Sequence, residues 1–185
     1  MTDKKETPCR CSLEDILAAR DARRQKQMRL LKAYPDKTLI CLTVIMPGEI
    51  KCNEYTPIIG AAACQAIEET FKDKLILPDE ADCNTKNVSK TGFEAFFLVS
   101  LPPVEVKRQT VRIEETHGLG RLFDIDVIEK DCVPISRNEI GEKPRQCLLC
   151  NDEARICMRK HTHTHEELLT KIRSLVEDWQ NKHMK

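Results

Sequence analysis

The sequence has no excess of charge of either sign: Lys and Arg total 30, Asp and Glu total 30, and the formal net charge is zero. General nucleic-acid binding usually leaves a basic surplus, so this balance argues against it. It still allows a local basic patch that holds a phosphorylated ligand. Long hydrophobic runs are missing too. The most apolar stretch, residues 39–46, is far too short to span a bilayer. The opening "MTDKKETPCRCSLED" has no apolar segment after its lysines and does not read as a secretory signal. These absences predict a cytoplasmic protein. Internal repeats and linker-like segments are also absent, and 185 residues suffice for one domain with a sizeable core.

Cysteine, by contrast, is plentiful at ten residues. Structural disulfides are rare in the cytoplasm, so another use is needed. Cys41, Cys52, Cys64, Cys83 and Cys132 are scattered singly and read as small buried hydrophobes. Charged residues make up 32% and apolar ones 41%, the balance of a folded, soluble chain.

Residues 1–11 read as a flexible polar tail and 12–185 as a single domain. Ser12 followed by Asp15 resembles a capping box and predicts a helix to about Ala33, ended by Pro35. The β-branched run 37–48 predicts a buried strand, and apolar residues at helical spacing predict a helix over 55–72. A short strand over 74–83, a loop over 82–92 and a strand over 93–100 follow. Pro102-Pro103 opens a predicted helix. Residues 121–129 read as a strand, with 132–136 pairing back on it as a hairpin, and 137–146 as irregular. Leu168, Leu169, Ile172, Leu175, Val176 and Trp179 mark one face of a helix starting near His165. The predicted class is α+β, a mixed sheet with flanking helices.

Two segments carry chemistry. The first is "HGLGRLFDIDV", residues 117–127. Side chains alternate along a strand, so Asp124 and Asp126 share one face while Phe123, Ile125 and Val127 share the other. Such a pair is either a solvated strand face or a ligand set for hard divalent cations such as Mg²⁺. The context favours the second. Gly118 and Gly120 allow close backbone approach by a ligand, Arg121 offers a fork-shaped phosphate donor, and His117 lies on the same loop. Phosphoryl or nucleotidyl transfer needs this layout, because the leaving pyrophosphate must be neutralised.

The second is "CLLCNDEARICMRKHTHTH", with Cys147-x2-Cys150-x6-Cys157 followed by His161, His163 and His165. Cys-x2-Cys is the usual first half of a four-ligand zinc site. The alternative is reduced cysteines in a packed turn with solvated histidines. If zinc binds, a structural role fits better than a catalytic one. Basic residues form two clusters: Arg20, Arg23, Arg24 and Arg29 early, and Arg137, Lys143, Arg145, Arg155, Arg159 and Lys160 late. Together they suit a triphosphate or an acidic protein partner.

"HGLGRLFDIDV", Ser136-Arg137, "RQCLLC" at 145–150, Ala154, Cys157, Arg159 and His163 together resemble the apo-citrate lyase phosphoribosyl-dephospho-CoA transferase family. Arg20-Asp21-x-Arg23 and Pro47-Gly48-x-Ile50-Lys51 fit it as well. Gly118 is a departure, since the family often has proline there. The resemblance runs from about Leu13 to Leu175. It implies a nucleotidyltransferase-like fold and activity. The implied reaction moves the 2'-(5''-phosphoribosyl)-3'-dephospho-CoA group from its triphosphoribosyl precursor to a serine of the citrate lyase acyl carrier protein, releasing pyrophosphate.

On that implication Asp124 and Asp126 hold Mg²⁺, and Arg121 neutralises the triphosphate. Gly118, Gly120, Arg20, Arg23, Arg24, Lys51 and Arg137 line the donor site. His117 and Glu115 are candidates for the base. Cys147, Cys150, Cys157 and His163 are the candidate zinc ligands. The chain has no room for the separate synthase that makes the donor. Two other readings stay open: a zinc-stabilised binding or regulatory module without catalysis, and the same transfer to a different carrier, such as that of malonate decarboxylase.

Overall fold

Ser12 starts the first helix as the sequence predicts. In the computed structural model, which describes residues 10–76, 86–129 and 131–183, its hydroxyl accepts from the Asp15 N–H at 3.1 Å. The Asp15 carboxylate in turn accepts from the Ser12 N–H at 2.7 Å, closing the box that opens α1, Leu13–Ala33. Most of the proposed N-terminal tail lies outside the described residues. Cys11 does not: it is buried, its N–H donates to the Glu49 carbonyl, and its thiol donates to the Lys90 carbonyl.

Four more helices follow: α2, Tyr55–Phe71; α3, Pro103–Thr116; α4, Ala154–Lys160; and α5, His165–His183. Pro103 stands at the first position of α3, where a missing N–H costs nothing. The strands are β1, Thr38–Val44; β2, Leu75–Ile76; β3, Lys86–Ser89; β4, Gly92–Val99; and β5, Phe123–Ile128. They form one sheet in the order β2-β4-β1-β5, with β3 also on β4. The α+β class therefore holds. The sheet is antiparallel at each described pairing, where a mixed sheet was expected.

Two local expectations change. Lys86–Ser89, read as loop, is a strand that turns into β4 with Ser89 opposite Gly92. Its one apolar residue, Val88, is exposed, so no hydrophobic alternation announced it. The predicted hairpin at 132–136 reduces to an isolated bridge between Ile128 and Pro134. Residues 77–83 of the predicted short strand lie outside the described residues.

The two faces of the sheet differ. Ile40, Leu42, Phe93, Ala95, Phe97, Val99, Phe123, Ile125 and Val127 face the main core, filled by Ile59 and Ile67 of α2, Val106 and Ile113 of α3, and Ile172 and Val176 of α5. The other face meets α1. At one end, Leu39, Leu98 and Ile128 are sealed under Leu30, the one buried residue of that helix. Burial of a leucine of this kind contributes about 1.5–3 kcal/mol. Towards the other end the same face turns polar, and that gradient creates the site.

Candidate active site and metal cluster

Strand register sets the polar end of the α1 face. Thr43 of β1 pairs with Glu94 of β4 on one side and with Asp124 of β5 on the other. One step along, Cys41 lies between Phe96 and Asp126. Alternation turns all of these side chains towards α1. A third carboxylate, Glu94, shares this face but lies across β1 from the predicted pair. A lone acid in "GFEAFFLV" carries no signal until β1 brings it onto the face that bears the aspartates.

Asp124 is half exposed, accepts from the Thr43 hydroxyl at 3.3 Å and lies 3.5 Å from Arg145 Nη2. Asp126 is largely buried. Its carboxyl is pushed up to about 6, chiefly by burial and next by the neighbouring Asp124 charge, against the pull of Lys107. Cys41 beneath them is driven up to about 12 by burial, so its thiol is inert near neutrality. From above, Arg23 Nε donates to Glu94 at 3.1 Å. Arg20 is close enough to Lys51 to help burial lower the lysine's pKa, and Lys51 Nζ donates to the Met46 carbonyl at 2.6 Å. Arg24 is exposed. The structure therefore brings Arg23 to Glu94 and sets Arg20 beside Lys51.

β5 is an edge strand, and its outward backbone groups are met from α3 and the following loops. The Ile125 N–H donates to Glu114 Oε1 at 3.0 Å, and Lys107 Nζ donates to the Ile125 carbonyl at 3.3 Å. Both side chains are buried, 4% and 5% exposed, so they need these partners. Arg145 Nη1 donates to the Phe123 carbonyl at 2.6 Å and its Nη2 to Glu114. Arg137 clasps Glu114 and, at 2.7 Å, Glu115. Arg137 and Glu115, expected at the donor and as a base, are thus paired with each other.

The glycine turn has a different use from the one expected. A Cβ on Gly120 would lie 2.5 Å from the Glu114 carbonyl oxygen and 2.6 Å from that of Ile113. Glycine is required there because the turn packs on the last turn of α3. A Cβ on Gly118 would approach Trp179 at 3.1 Å. His117 caps α3, accepts from the Leu119 N–H at 3.0 Å, and sets its ring tilted by 37° with its centroid 4.9 Å from that of Phe123, a residue of the main core. Burial lowers its pKa. It therefore packs against the sheet face opposite the aspartates. Arg121 Nη2 donates to the carbonyls of Gln146 and, at 2.6 Å, Cys147.

Those carbonyls belong to the cysteine segment. Cys147, Cys150, Cys157 and His163 bring their ligand atoms within 4.8 Å of one another. Cys150 Sγ lies 3.5 Å from Cys157 Sγ and 3.4 Å from His163 Nε2. These match the edges of a tetrahedron with metal–ligand bonds of about 2.0–2.3 Å; a disulfide would need about 2.05 Å. Burial opposes the Cys147 thiolate, but the N–H groups of Leu149 and Cys150 and the neighbouring thiols outweigh it and bring the thiol down to about 7. His161 caps α4 in a left-handed conformation, and His165 opens α5 near Gly48. His163 alone of the three joins the cluster.

No helix among the described residues is long and apolar enough to cross a membrane. A family model described as apo-citrate lyase phosphoribosyl-dephospho-CoA transferase matches residues 11–179. A Streptococcus pyogenes serotype M18 protein named probable apo-citrate lyase phosphoribosyl-dephospho-CoA transferase is 34% identical over 173 residues, covering 92% of this chain and 88% of that protein. An Escherichia coli O1:K1 protein with the same name, without "probable", is 34% identical over 170 residues, covering 90% and 89%.

Proposed function

The chain belongs to the apo-citrate lyase phosphoribosyl-dephospho-CoA transferase family, and from that membership we propose that it loads the citrate lyase acyl carrier protein with its prosthetic group. The donor is 2'-(5''-triphosphoribosyl)-3'-dephospho-CoA. The carrier's serine oxygen attacks the phosphorus attached to the ribose. The bond from that phosphorus to the bridging oxygen of the outer two phosphates breaks. A phosphodiester remains on the serine, and pyrophosphate departs with the proton in the overall balance. The chemistry is that of a nucleotidyltransferase.

The observation that carries this reading is the row of Glu94, Thr43 and Asp124, with Asp126 beside it, facing the arginines of α1. The two aspartates and the Thr43 hydroxyl bonded to Asp124 are hard oxygen donors, the kind Mg²⁺ selects. Burial, and next the adjacent Asp124 charge, raise the Asp126 carboxyl, and a cation held between the two aspartates would offset both. Asp124 and Asp126 would hold Mg²⁺, which would supply charge neutralisation for the donor phosphates. Arg20, Arg23 and Lys51 bind the triphosphate on the same face. His117, Glu115 and Arg137 serve the fold. The Cys147, Cys150, Cys157 and His163 set suits a structural Zn²⁺, worth about 10–16 kcal/mol of apparent binding energy in small zinc domains.

Intact mass of apo acyl carrier protein tests the reading after incubation with enzyme and donor, with and without Mg²⁺. A gain equal to the donor minus pyrophosphate, dependent on Mg²⁺, is expected. No gain with a competent carrier rejects it. A gain on the malonate decarboxylase carrier alone transfers the reaction to that partner.

A further inference from the structure

We propose that the metal-loaded Cys147, Cys150, Cys157 and His163 cluster is a brace for the carboxylate row, with Arg145 as the positioning residue between them. This rests on the zinc reading above and adds what that site does for the reaction.

The connection is short and continuous. The Cys147 N–H donates to the Asp152 carbonyl at 2.7 Å, Gln146 bridges to Glu153, and the Ala154 N–H donates to the Arg145 carbonyl at 2.9 Å. Residues 145–154 thus close into a hairpin carrying Cys147 and Cys150, with Arg145 at its root. From that root the guanidinium reaches three acceptors: the Phe123 carbonyl, Glu114 Oε1 and Asp124 Oδ1. Arg121 crosses in the other direction, from the turn before β5 to the carbonyls of Gln146 and Cys147. Two arginines therefore tie the hairpin to the strand that bears Asp124 and Asp126.

What would anchor the hairpin most firmly is a bound metal. Between residues 145 and 163 the buried side chains are Cys147 and Cys157, and both are ligands. Leu148 packs partly buried on the main core, but apolar anchoring of the segment is otherwise thin, so metal–ligand bonds would supply the rest. Without them Arg145 is free to leave. Glu114, 4% exposed, then loses one of its charged partners, and a buried carboxylate short of partners is costly. Its hydrogen bond from Ile125, in the middle of the Asp124–Asp126 segment, weakens with it.

The experiment uses the full-length protein, zinc analysis and residue-resolved amide exchange. The protein is expected to hold one zinc. Removing it by chelation should speed exchange of the Ile125 amide by about tenfold, the worth of one charge-assisted hydrogen bond. The central-strand amide of Ile40 should keep its rate. Arg145→Lys covers the case in which chelation unfolds the chain. It should retain zinc, show the same faster Ile125 exchange, and lose kcat with the donor KM unchanged. A protein that takes up no zinc overturns both the zinc reading and the brace. A zinc protein whose Ile125 amide is unaffected by chelation and by Arg145→Lys overturns the brace alone. A KM effect with kcat retained in Arg145→Lys also overturns it, since Arg145 would then bind the donor directly.

Discussion

Replacing Asp126 by Asn should make the protein more stable while stopping the reaction. Asp126 titrates at about 6 in the fold against 3.8 as an ordinary carboxyl, because burial and the adjacent Asp124 disfavour its charge. The folded state then binds the proton more tightly than the unfolded state does. Below pH 3.8 both states are protonated and there is no penalty. The penalty grows as pH rises through the interval and is complete above about 6. At 1.36 kcal/mol per pH unit of displacement, the ionised carboxylate costs the fold about 3 kcal/mol. Asn has the shape of the protonated acid and no charge, so it escapes that cost. Urea unfolding at pH 8 without divalent cation should show Asp126→Asn with a midpoint about 1–2 M higher than the parent. At pH 4 the two curves should nearly coincide. Adding Mg²⁺ at pH 8 should raise the parent and leave the variant where it is, by about 2.7 kcal/mol at a hundred times the dissociation constant. Equal midpoints at pH 8, or a less stable variant, would refute the claim that these carboxylates are crowded in want of a cation.

Asp124→Asn should lower transfer to the carrier by more than about a hundredfold while keeping the circular dichroism of the parent, and full turnover removes that residue from the ligand set. Gly120→Ala should destabilise by about 1–3 kcal/mol or more, since its Cβ meets two backbone carbonyls that cannot give way; an unchanged thermal midpoint would contradict the packing argument. His117→Ala should lose about 1–3 kcal/mol in urea unfolding, from the ring contacts and the Leu119 hydrogen bond, and should turn over carrier near the parental rate. A collapse of kcat in that variant would restore histidine to the chemistry.

The family, the α+β class and most elements were legible in the linear sequence, and the reason is local. A capping box, a proline pair and a period of 3.6 or 2 act over a few residues, so they read directly. Alternation alone put Asp124 and Asp126 on one face. The spacing of Cys147, Cys150 and Cys157 was likewise enough to propose a metal set. Choosing His163 from three histidines was not a local matter, because it depended on how α4 ends and α5 begins. Strand β3 was invisible because its polar residues are extended only through pairing with β4.

The decisive features of the site came from contacts distant in the chain. Glu94 and Asp124 share a face, on either side of Thr43, only because both register with it. The lone glutamate of an apolar strand and the exposed-looking arginine at 145 carry no periodic signal of their own. His117 and Asp124, close in sequence, are sent to opposite faces of the sheet by the turn at Gly120. The sequence by itself determined which residues could bind a cation, a phosphate or zinc, since that is fixed by side-chain chemistry. Tertiary structure alone decided which of them meet, since register and helix placement follow from burial of the whole core rather than from any short stretch.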